Sequence, residues 1–146
     1  MTPGPVGEVR RIVDRILAVP DRFTPESVSE ACAVTLFEVA CGNPYMREFA
    51  AYPEAGSFSA ITFRGPAVSA DRPPGLVITD ASAGCRIAQA DLASCFRLSS
   101  EQVGVNPRIP PEGVVSFWES HGPRTLYLQF TAGSRMLRAI SVHETS

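Results

Sequence analysis

Histidines are the side chains best suited to acid–base chemistry near neutral pH, and this sequence has two, His121 and His143. His121 follows Glu119 by two positions, in a segment that reads as a tight hairpin turn. A carboxylate beside an imidazole can orient it as a general base, whereas an exposed turn histidine has no such role. We favour the second interpretation for His121. His143 is followed by Glu144, and we interpret these two residues as a solvated pair close to the end of the sequence.

The motifs of nucleophilic, phosphate-binding and cofactor-dependent enzymes are absent from the sequence. It contains no G-x-S-x-G, G-x-G-x-x-G or H-E-x-x-H pattern and no phosphate-binding loop. All 13 basic residues are arginines, so a Schiff-base lysine is excluded as well. The aspartates are scattered, and no acidic pair is spaced to hold a metal ion. We therefore predict a non-enzymatic protein without a metal or cofactor; catalysis would require residues that only the fold brings together.

The sequence contains four cysteines, Cys32, Cys41, Cys85 and Cys95. None lies within the short spacing of a structural zinc site. An even number of cysteines permits disulfides, here in three connectivities. Cys32 and Cys95 fall on the apolar faces of predicted helices, where a free cysteine packs as a small apolar residue. We therefore favour free buried thiols over disulfides.

Length and composition describe one globular domain, residues 1–146, with 45% apolar and 19% charged residues. The net charge is -2, so there is no basic excess to neutralise phosphates, and we predict no nucleic-acid binding. No apolar run is long enough to span a bilayer, which predicts no membrane insertion. The first residues lack the apolar region of a signal peptide. We therefore expect a cytoplasmic protein, or a periplasmic one if a leader has been removed.

Two helices are predicted at the start of the chain. In the first, apolar residues recur at helical spacing; they are Val9, Ile12, Val13, Ile16 and Leu17. Pro20 ends this helix. The second begins after Thr24, a good N-cap, with Pro25 at the first helical position. Phe23 and Val28 flank this cap in the arrangement of a hydrophobic staple.

Six segments have the alternation and turn boundaries of β-strands: 35–41, 57–64, 76–80, 114–119, 125–131 and 136–143. A third, short helix is predicted over 87–96. Residues 45–52 are ambiguous between a helical turn and a loop, and 98–113 reads as a long surface connection of the kind that is often functional. This order predicts an α+β fold, a mostly antiparallel sheet of about six strands with two N-terminal helices and one mid-chain helix packed on one face. A helix followed by strands occurs twice, which leaves room for a pseudo-repeat.

The first C-terminal hairpin carries the most distinctive side chains. Leu126, Leu128 and Phe130 alternate with Tyr127, so Tyr127 is predicted to face away from the core. Trp118 can join it across the hairpin, unless a second layer makes Trp118 an ordinary core residue. Tryptophan, tyrosine and arginine dominate binding hot spots. The predicted partner-binding residues are Trp118, Glu119, His121, Arg124 and Tyr127. A second patch of aromatic and charged residues, Tyr45, Arg47, Glu48 and Tyr52, is interpreted as a plain loop.

The entry helix, the capped helix FTPESVSEACAV and the strands that follow resemble small α+β bacterial immunity and inhibitor proteins. The resemblance lies in the order of the elements. Proteins of that class neutralise a cognate secreted toxin by occluding its active site. The resemblance therefore implies a high-affinity protein partner and no catalysis, and we expect a protein-binding domain that acts as an immunity or inhibitor protein.

Two other classes of protein remain compatible with the sequence. A concave sheet face could enclose an apolar pocket, giving a domain that binds a small apolar ligand or is an enzyme. The aromatic residues that could line such a pocket are Phe37, Phe58, Phe63, Phe117 and Trp118. In the third class, the chain forms a homodimer through an exposed sheet face or edge.

Overall fold

The fold is known from a computed structural model, which describes residues 4–54, 56–66, 75–82, 86–98, 103–106, 108 and 113–144. The helices in these ranges are α1 (Gly4–Leu17), α2 (Pro25–Cys32) and α3 (Gln89–Leu92). The strands are β1 (Phe37–Val39), β2 (Met46–Ala51), β3 (Phe58–Pro66), β4 (Leu76–Ala81), β5 (Val103–Asn106), β6 (Val114–His121), β7 (Arg124–Thr131) and β8 (Leu137–Glu144). Within the described ranges, no helix is long and apolar enough to cross a membrane.

The eight strands form a single antiparallel sheet in the order β1-β2-β3-β4-β8-β7-β6-β5. Consecutive strands pair within each half, and β4 pairs with β8 at the centre. The sheet therefore consists of two four-stranded meanders joined along their last strands. Helices precede each meander, so the repeated order in the sequence corresponds to two similarly ordered halves of one sheet.

One face of the sheet holds the hydrophobic core. Leu126, Leu128 and Phe130 of β7 expose 0% of their surface, because alternate residues of a strand point to the same side. The helices add their own apolar residues to the same cluster: Val9, Val13 and Ile16 of α1, Val28 and Cys32 of α2, and Leu92 of α3. Burying each large side chain contributes about 1.5–3 kcal/mol. The strand residues between those of the core point to the other side of the sheet.

The start of α2 confirms the predicted capping. The backbone N–H of Ser27 donates to Thr24 Oγ1 over 3.0 Å, and the backbone N–H of Thr24 donates to Ser27 Oγ over 2.9 Å. Pro25 occupies the first helical position. Phe23 and Val28, the predicted staple, are both buried in the core cluster. This cap fixes the direction in which the chain leaves the connection between α1 and α2.

The prediction of about six strands was too low, because two of the eight strands were missed. Residues 45–52 include β2, whose Met, Glu and Ala favour helices; pairing with β1 on one side and β3 on the other overrides that preference. The long connection predicted over 98–113 contains β5, which is too short for a visible alternation. Two other elements are shorter than predicted: β1 has 3 residues, and α3 has 4.

Three of the four cysteines lie in the described residues, and all three are free. Cys32 is buried, while Cys41 and Cys95 are partly exposed. Burial raises the pKa of the Cys32 thiol to about 12. These three thiols are free, as favoured, but of the three only Cys32 is buried as expected. Cys85 lies outside the described residues.

Cys32 is expected to resist alkylation in the folded protein while Cys41 reacts. At a pKa of about 12 the thiolate fraction of Cys32 at mildly alkaline pH is roughly a thousandfold below that of an ordinary exposed thiol. Mass spectrometry after a timed iodoacetamide reaction, with and without urea, measures both residues in one sample. Equal labelling rates of Cys32 and Cys41 without urea would show that Cys32 is not buried.

Candidate functional site

The face of the sheet opposite the core is the candidate site, and we call it the open face. Cross-strand register places one set of alternate strand residues there. Across the middle of this face, each of the six inner strands contributes one small, apolar or hydroxylated residue. In the sheet order β2, β3, β4, β8, β7 and β6, these are Ala50, Thr62, Ile78, Ser141, Tyr127 and Trp118. Ala50 is buried, and the other five are partly exposed. The buried apolar residues of α1, α2 and α3 belong to the core cluster on the other side of the sheet.

Three aromatic rings form a row across the open face, and we call Trp118, Tyr127 and His143 the ring row. The ring centroids of Trp118 and Tyr127 are 6.4 Å apart, and those of Tyr127 and His143 are 4.6 Å apart in an edge-on arrangement. The three residues lie on adjacent strands β6, β7 and β8, and each is partly exposed. Ser141 Oγ lies 3.3 Å from His143 Nε2. The row is therefore a continuous, half-buried aromatic surface with polar atoms at its margin.

Charged side chains of both signs on the open face have close polar partners. Arg64 Nε donates to Glu48 Oε1 over 2.9 Å, and Arg138 donates to the side chain of Gln129. Burial raises the pKa of Asp80, against the opposing effect of Arg138. Burial lowers the pKa of His143, so its imidazole is neutral at neutral pH. A mixed, nearly neutral surface of this kind suits a polypeptide better than a phosphate backbone.

Acidification is expected to destabilise the fold through His143. Because burial lowers the pKa of His143 in the folded state, the unfolded chain takes up the proton first as the pH falls below about 6.5. Stability from this group is therefore present above that pH and is lost as the pH falls toward the folded pKa. His143→Asn removes this loss. Asp80, whose raised pKa changes stability in the opposite direction as the pH falls, is present in both the wild type and the variant. Urea unfolding at about pH 7.5 and about pH 5.5 compares them; parallel losses would contradict the assignment.

Two of the five predicted contact residues, Trp118 and Tyr127, lie on the open face. Glu119 and His121 point to the core side, since they pair with Leu126 and Arg124 of β7. His121 Nε2 lies 2.6 Å from Glu119 Oε1, and Glu119 Oε2 accepts a hydrogen bond from the backbone N–H of Arg97. This carboxylate therefore links β6 to the segment after α3.

Arg124, which was also predicted as a contact residue, is buried on the core side of the sheet. Its side chain is 8% exposed. Nη1 donates to the carbonyls of Leu17 and Val19 over 3.1 and 2.6 Å, and Nη2 donates to the carbonyl of Asp21 over 2.6 Å. Leu17 is the last residue of α1 and the other two residues follow it, so these carbonyls lie where the helix no longer supplies N–H partners. Arg124 thus fastens the α1–α2 connection to the sheet, and the five predicted residues do not form one surface.

Glu144 completes the same buried cluster, so the prediction that His143 and Glu144 form a solvated pair was wrong. The Glu144 carboxylate accepts from the backbone N–H groups of Phe23 and Gly75 over 2.9 and 3.0 Å, and it lies 3.8 Å from Arg124 Nη2. The Arg124 guanidinium lies 4.2 Å from the centroid of the Phe23 ring. Glu144 pairs with Arg124 across β8 and β7, which carries both into the core side. We call Arg124 and Glu144 the buried ion pair.

The second patch considered in the sequence does not form one surface. Arg47 makes a two-pronged ion pair with Glu38 at 2.8 Å on the core side of β2, whereas Glu48 pairs with Arg64 on the open face. Tyr45 and Tyr52 are strongly exposed at opposite ends of β2. The interpretation of a plain loop is also corrected, because the residues between the tyrosines are a strand.

A cavity of about 260 Å³ lies on the core side, between the start of α2 and strands β2 and β3. The rings of Phe23, Phe49 and Phe63 line it, together with the exposed Arg22 and Arg47. Of the aromatic residues that the sequence suggested for a pocket, Phe63 is the one that lines this cavity. Phe58 and Phe117 belong to the packed core, and Phe37 and Trp118 lie on the open face.

No protein-family model, curated protein or solved structure matches the chain. Among the described residues, no group of three or more His, Cys, Asp or Glu could hold a metal ion. The geometry of the open face and of the cavity therefore provides the basis for a functional assignment. Sequence alternation could have placed His143 beside Tyr127, since Ser141 and His143 alternate with the buried Ile140 and Val142.

Proposed function

We propose that this protein is a non-enzymatic protein-binding domain that docks its partner on the open face. The observation that carries the proposal is the ring row of Trp118, Tyr127 and His143, which is partly exposed on the sheet face opposite the core. Aromatic side chains supply large contact areas at low entropic cost, and their polar atoms keep hydrogen-bonding partners at an interface. The row supplies the central anchor of the docking surface.

The size of the open face fits a protein partner. Eight strands are separated by seven spacings of about 4.8 Å, giving a width of about 34 Å, and strands of about six residues are about 20 Å long. The product, about 700 Å², is close to the roughly 800 Å² that each partner contributes to a standard interface. Balanced charges around the aromatic centre match the usual division of interfaces into an apolar core and a polar rim.

We propose further that the partner is a toxin whose active site the domain occludes. The basis is the resemblance in element order to small bacterial immunity and inhibitor proteins. A rigid sheet face of this area can cover an enzyme cleft without taking part in the chemistry. In this role the domain works by steric exclusion, so it needs no catalytic residue or cofactor of its own.

Affinity capture with matched variants tests the proposal. The immobilised chain is mixed with a lysate of the organism that encodes it and washed at high salt. We expect one protein in equimolar amount on the wild type and on Arg11→Ala, whose side chain is exposed on α1, and its loss on Trp118→Ala. Removing an interfacial tryptophan typically weakens affinity by about 30-fold or more. A partner retained equally by all three proteins would contradict docking on the ring row.

The cavity beside Phe49 and Phe63 supports a second candidate function, binding of a small apolar ligand with an acidic group. The two rings supply apolar walls, and Arg22 supplies a cation. Its volume is slightly below that of typical ligand sites, which begin at about 300 Å³. NMR titration with anilinonaphthalene sulfonate tests this function. Shifts confined to the amides of Phe49, Phe63 and Arg22 would support it, and shifts confined to the open face would contradict it.

A further inference from the structure

The two edge strands of the sheet, β1 and β5, differ in how well they are protected against pairing with a further strand. The β1 edge is 3 residues long and carries Glu38, which is bound by both prongs of Arg47. Short length and fixed charges are the usual means by which proteins block an edge. The β5 edge, Val103–Asn106, carries no charged residue, and Gly104, Val105 and Asn106 are exposed. The Val105 side chain is 65% exposed. Among the described residues, no strand pairs with the outer side of β5, so this edge can take up another strand.

The open face continues to this edge because Gly104 has no side chain. Gly104 pairs with Ser116 of β6, which places it on the open face next to the strand that carries Trp118. A Cβ built at Gly104 would lie 3.8 Å from Cζ3 of Trp118. The indole therefore reaches toward β5, and its flank is accessible above the glycine. The outer edge of the last described strand and the side of an aromatic ring therefore lie next to each other.

We propose that β5 receives an extended segment of the protein partner as a ninth strand of the sheet, with an apolar side chain of that segment packed over Gly104 against Trp118. Main-chain hydrogen bonds along β5 provide affinity, and the side chain at the Gly104 gap provides specificity. A side chain that packs over a glycine from the neighbouring strand replaces the contact that the glycine itself cannot make. This proposal rests on the proposed function, because it takes the ligand to be a protein.

A second copy of this chain fits the edge less well. Four residues of strand are about 13 Å long, so an edge-to-edge dimer would bury far less than the roughly 1,200 Å² of a stable interface. In such a dimer the two open faces would extend away from each other and add no contact. A partner segment on β5 can continue directly onto the ring row, where the remaining area is available.

Selection of peptides by the full chain tests the ninth strand. The probe is a display library of linear random dodecapeptides, followed by hydrogen exchange of the chain with each selected peptide. We expect peptides with alternating apolar residues, and amide exchange of 103–106 slowed by about tenfold or more. Gly104→Ala and Val105→Lys are expected to weaken binding by about tenfold or more, while Arg11→Ala, at an exposed position of α1, leaves it unchanged. The Gly104→Ala methyl makes only an ordinary contact with Trp118, so the fold is retained.

Three results would overturn the ninth strand. The first is a peptide that needs Trp118 for binding but does not slow the amide exchange of residues 103–106. This result would overturn the ninth strand and leave docking on the open face intact. Failure to select any peptide would also overturn it, and the capture experiment with Trp118→Ala then decides the proposed function separately. Sedimentation of the chain alone at about 100 µM, showing a dimer that Val105→Lys dissociates, would assign the edge to a second copy instead.

Discussion

Replacing Arg124 with methionine is expected to lower the free energy of unfolding by about 3–5 kcal/mol. The substitution keeps much of the apolar volume but leaves the buried Glu144 without its cation. It also removes the donors to the carbonyls of Leu17, Val19 and Asp21, at the end of α1. This loss is a large fraction of the total stability of an ordinary domain. Urea unfolding at neutral pH, followed by the fluorescence of Trp118, measures it.

Arg11→Met is the matched control, since Arg11 is an exposed arginine of α1. We expect its effect to remain within about 0.5 kcal/mol. Arg124→Lys keeps the charge but cannot reach three carbonyls with one ammonium, so an intermediate loss is expected. A loss below about 1 kcal/mol for Arg124→Met would show that the buried ion pair does not fasten the α1–α2 connection.

The second large effect concerns two neighbouring residues of β7 that point to opposite sides of the sheet. Leu128→Ala is expected to cost about 2–5 kcal/mol, because Leu128 is 0% exposed and the cavity it leaves lies within packed core. Tyr127→Ala, one residue away on the open face, is expected to cost about 1 kcal/mol or less, since its ring is partly exposed and packs edge-on and tilted against His143 and Trp118. Urea unfolding of both variants under the same conditions gives the comparison.

This comparison bears directly on function. If the open face were covered by a further layer, Tyr127→Ala would cost as much as Leu128→Ala, and the ring row would be core. A small cost at Tyr127 instead means that the aromatic row contributes little to folding. Its side chains are then available for a partner.

Local patterns in the sequence were sufficient for the elements that depend on near neighbours. Thr24 and Pro25 mark the start of α2, and the alternation of Leu126 and Leu128 with Tyr127 fixes the two sides of β7. In both cases the relevant contacts span only a few residues. The mostly antiparallel α+β fold follows from the short connections between such strands.

The remaining features depend on contacts that are distant in sequence. The β2 strand forms because it is paired on both sides, although its residues favour a helix. The sequence placed Arg124 among the contact residues of a binding surface. Its hydrogen-bond partners, however, lie 103 to 107 residues earlier in the chain. Glu144 likewise meets Phe23 across 121 residues. Periodicity and composition contain no signal for such pairs, so the contact set Trp118, Glu119, His121, Arg124 and Tyr127 was divided between two faces.

We propose that the open face, and not the helical side, meets a protein partner. Site-specific photo-crosslinking in cells distinguishes the two, with benzoylphenylalanine placed at Tyr127 in one protein and at Arg11 of α1 in another. We expect a single covalent adduct from the Tyr127 position and none from the Arg11 position. An adduct from the Arg11 position alone would instead place the partner on the helices and refute docking on the open face.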